Sequence, residues 1–268
     1  MGGSVAADLP GFQELDHAGA RVLTRAEAAP WVRYVLEGGA SLHAAAASDR
    51  NAVILEGRRP VFIIPAKLPP ERRQGAAAHW AVKRFARGGK VLPALLGERY
   101  LRIGDPRPHQ ETLVSEEARE RGISTPRIMA AAVYPLGWFY RGDLVTEYVD
   151  EASDLVETLF DTRRKGAGGA AERLDALKAA GSLIRTMART GLRHGDLHAG
   201  NVLLQWEGTV PRALILDLDQ AQVLPRGKST SVGPMLRRLE HSLRKWEGRT
   251  GLRLSDREWS SLEGAAMG

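Results

Sequence analysis

Residues 193–204, RHGDLHAGNVLL, place His194, Asp196 and Asn201 in a glycine-containing turn that runs straight into an apolar stretch, and a later apolar stretch, LILDLD, reaches Asp217. Phosphoryl transfer asks for charge neutralisation and positioning more than covalent help. It needs a lysine on the nucleotide phosphates, an acid to orient that lysine, a carboxylate to take the hydroxyl proton, and oxygen ligands for magnesium. Asp196 is the candidate catalytic base, with His194 packed in the turn as its orienting partner, and Asn201 and Asp217 are the candidate magnesium ligands. His194 and His198 stand four apart, but in a turn that spacing does not put both on one side. No third ligand of the H-E-x-x-H type follows, so a histidine metal site is not expected.

The remaining roles fall in the first half of the chain. The segment HWAVKRF (79–85) reads as a strand whose alternation sends Lys83 to the face opposite Val82. A helix is expected near 107–121, with Gly122 as its stop and Pro126 beyond. Glu111, Val114 and Ala118 fall at i, i+3 and i+7, which sets the Glu111 carboxylate on the apolar face. A buried carboxylate needs a cationic partner, and Lys83 is the partner expected, oriented by Glu111 toward the ATP phosphates. Glu116 and Glu117 compete for that part and read instead as solvated helix residues. LVTEYV (144–149) reads either as a passage where backbone groups of Glu147 and Val149 meet adenine, or as a buried strand with a tyrosine at its edge. No G-x-G-x-x-G is present, so either Gly57 with Arg58 and Arg59 in LEGRRPV covers the phosphates or the covering loop is incomplete.

Around these residues, NAVILEG (51–57) and VFIIPAKL (61–68) read as a hairpin, and residues 137–149 hold a further strand. A long helix over AERLDALKAAGSLIRTMART ends at Gly191 and delivers the chain to the Asp196 turn. NVLLQW and RALILDL form a hairpin across EGTVP, and residues 164–172, RKGAGGAAE, read as a surface loop. In the tail, Leu236, Leu239, Leu243 and Trp246 make one helical stripe with Arg237, Arg238, Arg244 and Lys245 off it. The fold expected is α+β, bilobal and protein-kinase-like. Residues 1–146 form a strand-rich lobe for the nucleotide and 147–268 a helical lobe with catalytic turn, metal site and acceptor, together one catalytic domain. The H-x-D-x-x-x-x-N turn followed by a strand and an aspartate is the arrangement that fold uses.

The chain has 268 residues, enough to bury a sizeable core, and no cysteine, which excludes disulfides, thiolate metal sites and a cysteine nucleophile. Its 38 basic and 32 acidic residues leave a formal charge of +6, and the pI is near 9.8, a balance that favours anionic partners. No apolar run approaches the ~20 residues of a membrane-spanning helix, and MGGSVAADLPGFQ lacks the marks of a secretory signal. A cytoplasmic chain is expected. The arginines of the tail helix lack interleaved aromatics, so a solvated face or an anionic acceptor is expected there rather than nucleic acid.

HGDLHAGNVLL is similar to the corresponding stretch of aminoglycoside phosphotransferases, choline kinases and lipopolysaccharide core kinases. VKRFARGGKV, ERYLRIGDPRPHQETLVSEEARERGISTPRIMAA, YRGDLVTEYV, LILDLDQAQV and LRRLEHSLRK resemble the Kdo (3-deoxy-D-manno-octulosonic acid) kinase branch of the bacterial lipopolysaccharide kinases, over about residues 50–246. The resemblance implies an ATP- and magnesium-dependent phosphotransferase acting on a Kdo hydroxyl of the lipopolysaccharide inner core. Asp196 would be base, Asn201 and Asp217 metal ligands, and Lys83 with Glu111 the phosphate clamp. It also implies a Kdo-lipid A acceptor and peripheral work at the cytoplasmic face of the inner membrane, and no protein partner is evident in the sequence. The departures are Asp219 where protein kinases carry the glycine of D-F-G, and the basic stretch EGRRPVFIIPAKLPPERRQGAAA between the first strands. The rivals are a soluble small-molecule or other sugar kinase of the aminoglycoside or choline type, and an inactive kinase-like protein that binds an anionic ligand.

Overall fold

The computed structural model describes residues 9–55, 60–68, 77–85, 99–102, 104–160 and 169–268. Gly57, Arg58 and Arg59, assigned above to the phosphate cover, lie outside them, as do residues 164–168 of the expected loop. The chain divides into two compact units, Met1–Glu116 with Arg127–Val149, and Glu117–Pro126 with Asp150–Gly268.

The first unit is an antiparallel sheet in the order β1-β2-β7-β8-β5-β4-β3, with the two-residue β6 paired to β8. Its strands are β1 (Phe12–His17), β2 (Ala20–Arg25), β3 (Val53–Leu55), β4 (Val61–Pro65), β5 (His79–Arg84), β6 (Tyr100–Leu101), β7 (Ile128–Leu136) and β8 (Phe139–Glu147). The expected β3–β4 hairpin is present, pairing Val53 with Ile63 and Leu55 with Val61. Helices α1 (Ala29–Glu37) and α2 (Leu42–Ala47) cover one face, burying Val32, Leu36 and Leu42 with Val22, Ile64, Trp80 and Val82. On the other face Leu23, Phe85, Ile128, Ala131 and Leu144 form a second cluster, against which Leu113 of α3 (Arg107–Glu120) packs. Alternation along β5 explains the split: Trp80 and Val82 go to the α1–α2 face, and Phe85 to the α3 face. α3 stops as expected at Gly122, whose φ of +77° suits glycine.

Strands β1, β2 and β7 and helices α1 and α2 were not read from the sequence. β7, IMAAAVYPL, is buried on both faces over its first six residues, so it shows no period-two alternation, and its alanines favour helix on propensity alone.

The second unit holds α4 (Leu155–Phe160), α5 (Ala170–Arg189), α6 (Val232–Thr250) and α7 (Asp256–Met267). Strands β9 (Ala152–Asp154), β11 (Val202–Glu207) and β12 (Val210–Ile215) form a sheet in the order β12-β11-β9, while β10 (Leu192–His194) pairs with β13 (Ala221–Val223). The expected α5, hairpin and tail helix are all present, and Leu236, Leu239 and Leu243 of α6 are buried. α7 begins on a capping box in which Ser255 accepts from the Glu258 N–H and Glu258 accepts from Ser255. A Cβ on Gly181 of α5 would clash with the Leu262 carbonyl of α7, so glycine there lets the two helices approach closely.

Candidate functional site

In the second unit, Gly191, at φ +80°, turns the chain out of α5 and into β10. Pairing of β10 with β13 sets His194 opposite Ala221, and the chain then closes on Gly195. A Cβ there would sit 2.9 Å from the Gln220 carbonyl, so the glycine of HGD is a steric requirement. The turn ends in a short 3-10 stretch, Ala199–Asn201, that opens directly into β11. Val202 pairs with Ile215. The hairpin register therefore carries Asn201 to the start of the segment bearing Asp217, and the Leu216 N–H donates to the Asn201 carbonyl at 2.9 Å. One hairpin thus joins the segments carrying Asn201 and Asp217.

His194 is fully buried and bridges both halves of this arrangement. Its Nδ1 accepts the Asp196 N–H at 3.2 Å, and its Nε2 donates to the Leu216 carbonyl at 3.2 Å. Burial holds the imidazole below the ordinary histidine range, only partly offset by the Leu216 carbonyl and the charges of Asp217 and Asp196. The ring is thus neutral with its proton on Nε2, the tautomer both bonds require. Asp196 keeps an exposed carboxylate while its carbonyl accepts from Asn201 Nδ2 at 3.2 Å. That bond uses the amide nitrogen of Asn201 and leaves its Oδ1 as the side chain's acceptor. Asp217 is exposed and left-handed, at φ 60° and ψ 61°, a backbone state that aspartate tolerates better than most residues and that concentrates at functional sites.

Asn201 and Asp217 make a hard oxygen pair. Among the described residues no cluster of three or more histidines or carboxylates could hold a metal on its own. A magnesium ion that takes one or two protein oxygens and completes its shell with phosphate oxygens and water fits this pair.

Three positions here were missed from the sequence. Ser242 of α6 accepts the Ala199 N–H at 3.1 Å, and Met235 of α6 receives the His194 N–H at 3.5 Å on its sulfur. Asp154 caps α4 by accepting the Glu157 N–H at 2.8 Å, and its Oδ2 lies near Gly200, 3.9 Å from where a Cβ would stand. Burial raises the Asp154 carboxyl, opposed by backbone donors and by His198. Only Asp154 left a readable signal, an acidic N-cap ahead of an apolar run.

In the first unit, Lys83 emerges on the α3 face of the sheet. Its Nζ reaches both carboxylate oxygens of Glu111, at 3.0 and 3.3 Å. The Glu111 side chain is 5% exposed and that of Lys83 29%, so the acid is sealed while the ammonium keeps an open side. The competing glutamates are engaged elsewhere: Glu116 pairs with the buried Arg25, and Glu117, still partly solvated as expected, pairs with Arg121 and the exposed Arg226. At the end of β8, the Glu147 N–H donates to the Arg127 carbonyl at 2.8 Å and the Tyr148 N–H to the His79 carbonyl at 2.9 Å. Any adenine contact by Glu147 would therefore use its carbonyl. Val149, half-buried, is the last residue of the unit.

Residues 71–265 match the family described as lipopolysaccharide kinase (Kdo/WaaP). The chain is 29% identical over 188 residues to a 3-deoxy-D-manno-octulosonic acid kinase of Pasteurella multocida, covering 68% of this chain and 72% of that one. It is likewise 29% identical over 187 residues to the enzyme of the same name from Vibrio cholerae, covering 69% and 72%. Among solved structures it is similar to WaaP in complex with acyl carrier protein, with a TM-score of 0.55 and 15% identity over 92% of this chain and 88% of the other. That likeness agrees with the α+β, kinase-like fold.

Proposed function

Since the chain belongs to the lipopolysaccharide kinase (Kdo/WaaP) family and is thereby an ATP-dependent phosphotransferase acting on a sugar, we propose that its acceptor is a Kdo hydroxyl in the inner core of a lipopolysaccharide precursor. The observation that carries this reading is the knit of His194, Asp196, Asn201 and Leu216, which leaves the Asp196 carboxylate exposed at the end of a rigid turn. Asp196 takes the proton of the attacking hydroxyl as its oxygen bonds to the γ-phosphorus. The bond from that phosphorus to the bridging oxygen breaks, and ADP leaves. His194 acts as a positioning residue, fixing the Asp196 backbone. Lys83, oriented by Glu111, neutralises the ATP phosphates, and Glu147 and Val149 border the adenine. Asn201 and Asp217 would hold magnesium, which when bound supplies further positive charge to the phosphates. Gly57 keeps its proposed role in covering them.

The net charge of +6 suits an anionic glycolipid at an anionic membrane surface, and peripheral work at the inner face of the bacterial inner membrane is part of the proposal. Among the described residues no helix is long and apolar enough to cross a membrane. The expectation that no protein partner takes part is withdrawn, because the structural neighbour was solved with an acyl carrier protein. An added acyl carrier protein is accordingly one arm of the test.

The test is transfer of labelled γ-phosphate from magnesium ATP to Kdo-bearing lipid A, with and without added acyl carrier protein, beside sugar-free lipid A, free Kdo, an aminoglycoside and a generic protein. Label on the Kdo lipid alone is expected. Label on the aminoglycoside or on sugar-free lipid A would replace the acceptor, and no label on any acceptor would leave a binding protein.

A further inference from the structure

Helix α6 does more than close the core. Met235 and Ser242, seven residues apart and so on one line of the helix, both contact the catalytic turn, at His194 and Ala199. On one side of that line Leu236, Leu239 and Leu243 descend into the core. On the other side runs a parallel line with Arg238 and Lys245, again seven apart, and His241 beyond them. Lys245 and His241 are exposed, and Arg238 is half-buried with its Nη1 donating to the Pro234 carbonyl at 3.1 Å. Among the described residues no carboxylate forms an ion pair with Arg238 or Lys245, whereas Arg173, Arg226 and Arg253 of the same unit each have one. Two cations about 10 Å apart along the helix axis thus lie on the side of α6 next to the line that meets the turn carrying Asp196. Arg237 and Arg244, about half a turn round the helix, face away from it.

We propose that Arg238 and Lys245 form an anion subsite that holds the carboxylate and phosphate groups of the acceptor glycolipid beside Asp196. The subsite rests on the acceptor class given above and adds which residues recognise it. The acid sugar named in the relatives carries a carboxylate, and lipid A carries phosphates. Two separated cations on one rigid helix can engage two such groups at once, which selects a doubly anionic acceptor over a neutral sugar.

The test compares Arg238→Gln/Lys245→Gln with Arg237→Gln/Arg244→Gln, a variant of equal charge, using Kdo-bearing lipid A dispersed in neutral detergent. Expected for the first variant is a rise of roughly tenfold or more in acceptor KM, with ATP KM unchanged and kcat within about threefold. The second variant should match wild type, and Arg238→Lys/Lys245→Arg should recover most of the loss. Unchanged acceptor KM, or equal rises in both double variants, would overturn the subsite. So would a loss seen only with acceptor in anionic vesicles and matched by lost binding to acceptor-free vesicles, which would make the stripe a membrane contact. Equilibrium binding of the same dispersed glycolipid separates this proposal from the acceptor assignment. A wild type that binds but does not phosphorylate it sinks the kinase assignment and leaves the subsite to be judged on binding by the variants, and a wild type that does not bind it sinks both.

Discussion

The turn carrying Asp196 and the strand–helix pair carrying Lys83 hold charged groups by different means. In the turn, each bond that positions a functional side chain has at least one backbone partner: His194 to the Asp196 N–H and the Leu216 carbonyl, Asn201 to the Asp196 carbonyl, and Ser242 to the Ala199 N–H. In the other unit, Lys83 and Glu111 hold one another side chain to side chain, 28 residues apart. A carboxylate left exposed by a backbone scaffold can be removed without disturbing that scaffold. A sealed carboxylate with an ammonium across both its oxygens cannot lose that partner so cheaply.

The largest expected effect separates these cases. Asp196→Ala should lower turnover by roughly 10³-fold or more, while ATP binding and thermal stability stay near wild type, as read by label transfer, calorimetric titration and melting. A melting temperature that falls along with the rate would mean that the turn depends on its acid after all. Lys83→Met should lower kcat/KM on the order of 10²-fold. It should also reduce unfolding free energy by about 2 kcal/mol, because the buried Glu111 then loses the ammonium that bonds both its oxygens. Lys83→Met/Glu111→Gln should recover part of that stability and none of the rate. Equal stability in the single and double variants would show that the pair has no structural role.

The same contrast governs what could be read from the sequence. The HGD turn, the hairpin and Asp217 lie within a few dozen residues, and backbone bonding between near neighbours follows from local pattern, so their arrangement was legible. Lys83 and Glu111 were paired by a general need, since an acid on the apolar stripe of a helix has to meet a cation. That rule failed for Glu116, which lies off the stripe yet meets Arg25 of β2, a strand the pattern did not reveal. Ser242 and Met235 brace the turn from more than 40 residues away, and nothing in the spacing of α6 marks two of its positions as facing a particular loop. The alanine-rich β7 was hidden because a strand buried on both faces carries no alternation.

Acid should bring out the sealed character of the first unit. His109, in the same helix as Glu111, is fully buried, and burial first, then the nearby Arg21 guanidinium, lowers its pKa to about 4. The unfolded chain takes up this proton below about pH 6.5 and the folded one does not until about pH 4. The stability from a neutral His109 is therefore complete above pH 6.5 and is lost as pH falls toward 4, by about 3 kcal/mol across that interval. His194 is shifted in the same direction, so the wild-type curve contains both. Subtracting the curve of His109→Gln, from urea unfolding at a series of pH values, isolates the first unit. A variant that keeps the full wild-type slope would place the acid sensitivity elsewhere.

The smallest effect tests whether the turn is as self-sufficient as its backbone bonds make it. Ser242 is the one hydroxyl of α6 that reaches into it, and the Ala199 N–H it satisfies belongs to a buried residue. Ser242→Ala leaves that donor unpaired at a cost of about 1 kcal/mol. Because the His194, Asn201 and Leu216 bonds all lie outside the lost contact, kcat should fall no more than a few-fold. The result to look for is a lower melting temperature with a nearly unchanged rate. A rate loss approaching that of Asp196→Ala would break the comparison, because the catalytic turn would then depend on a distant helix side chain as Lys83 depends on Glu111.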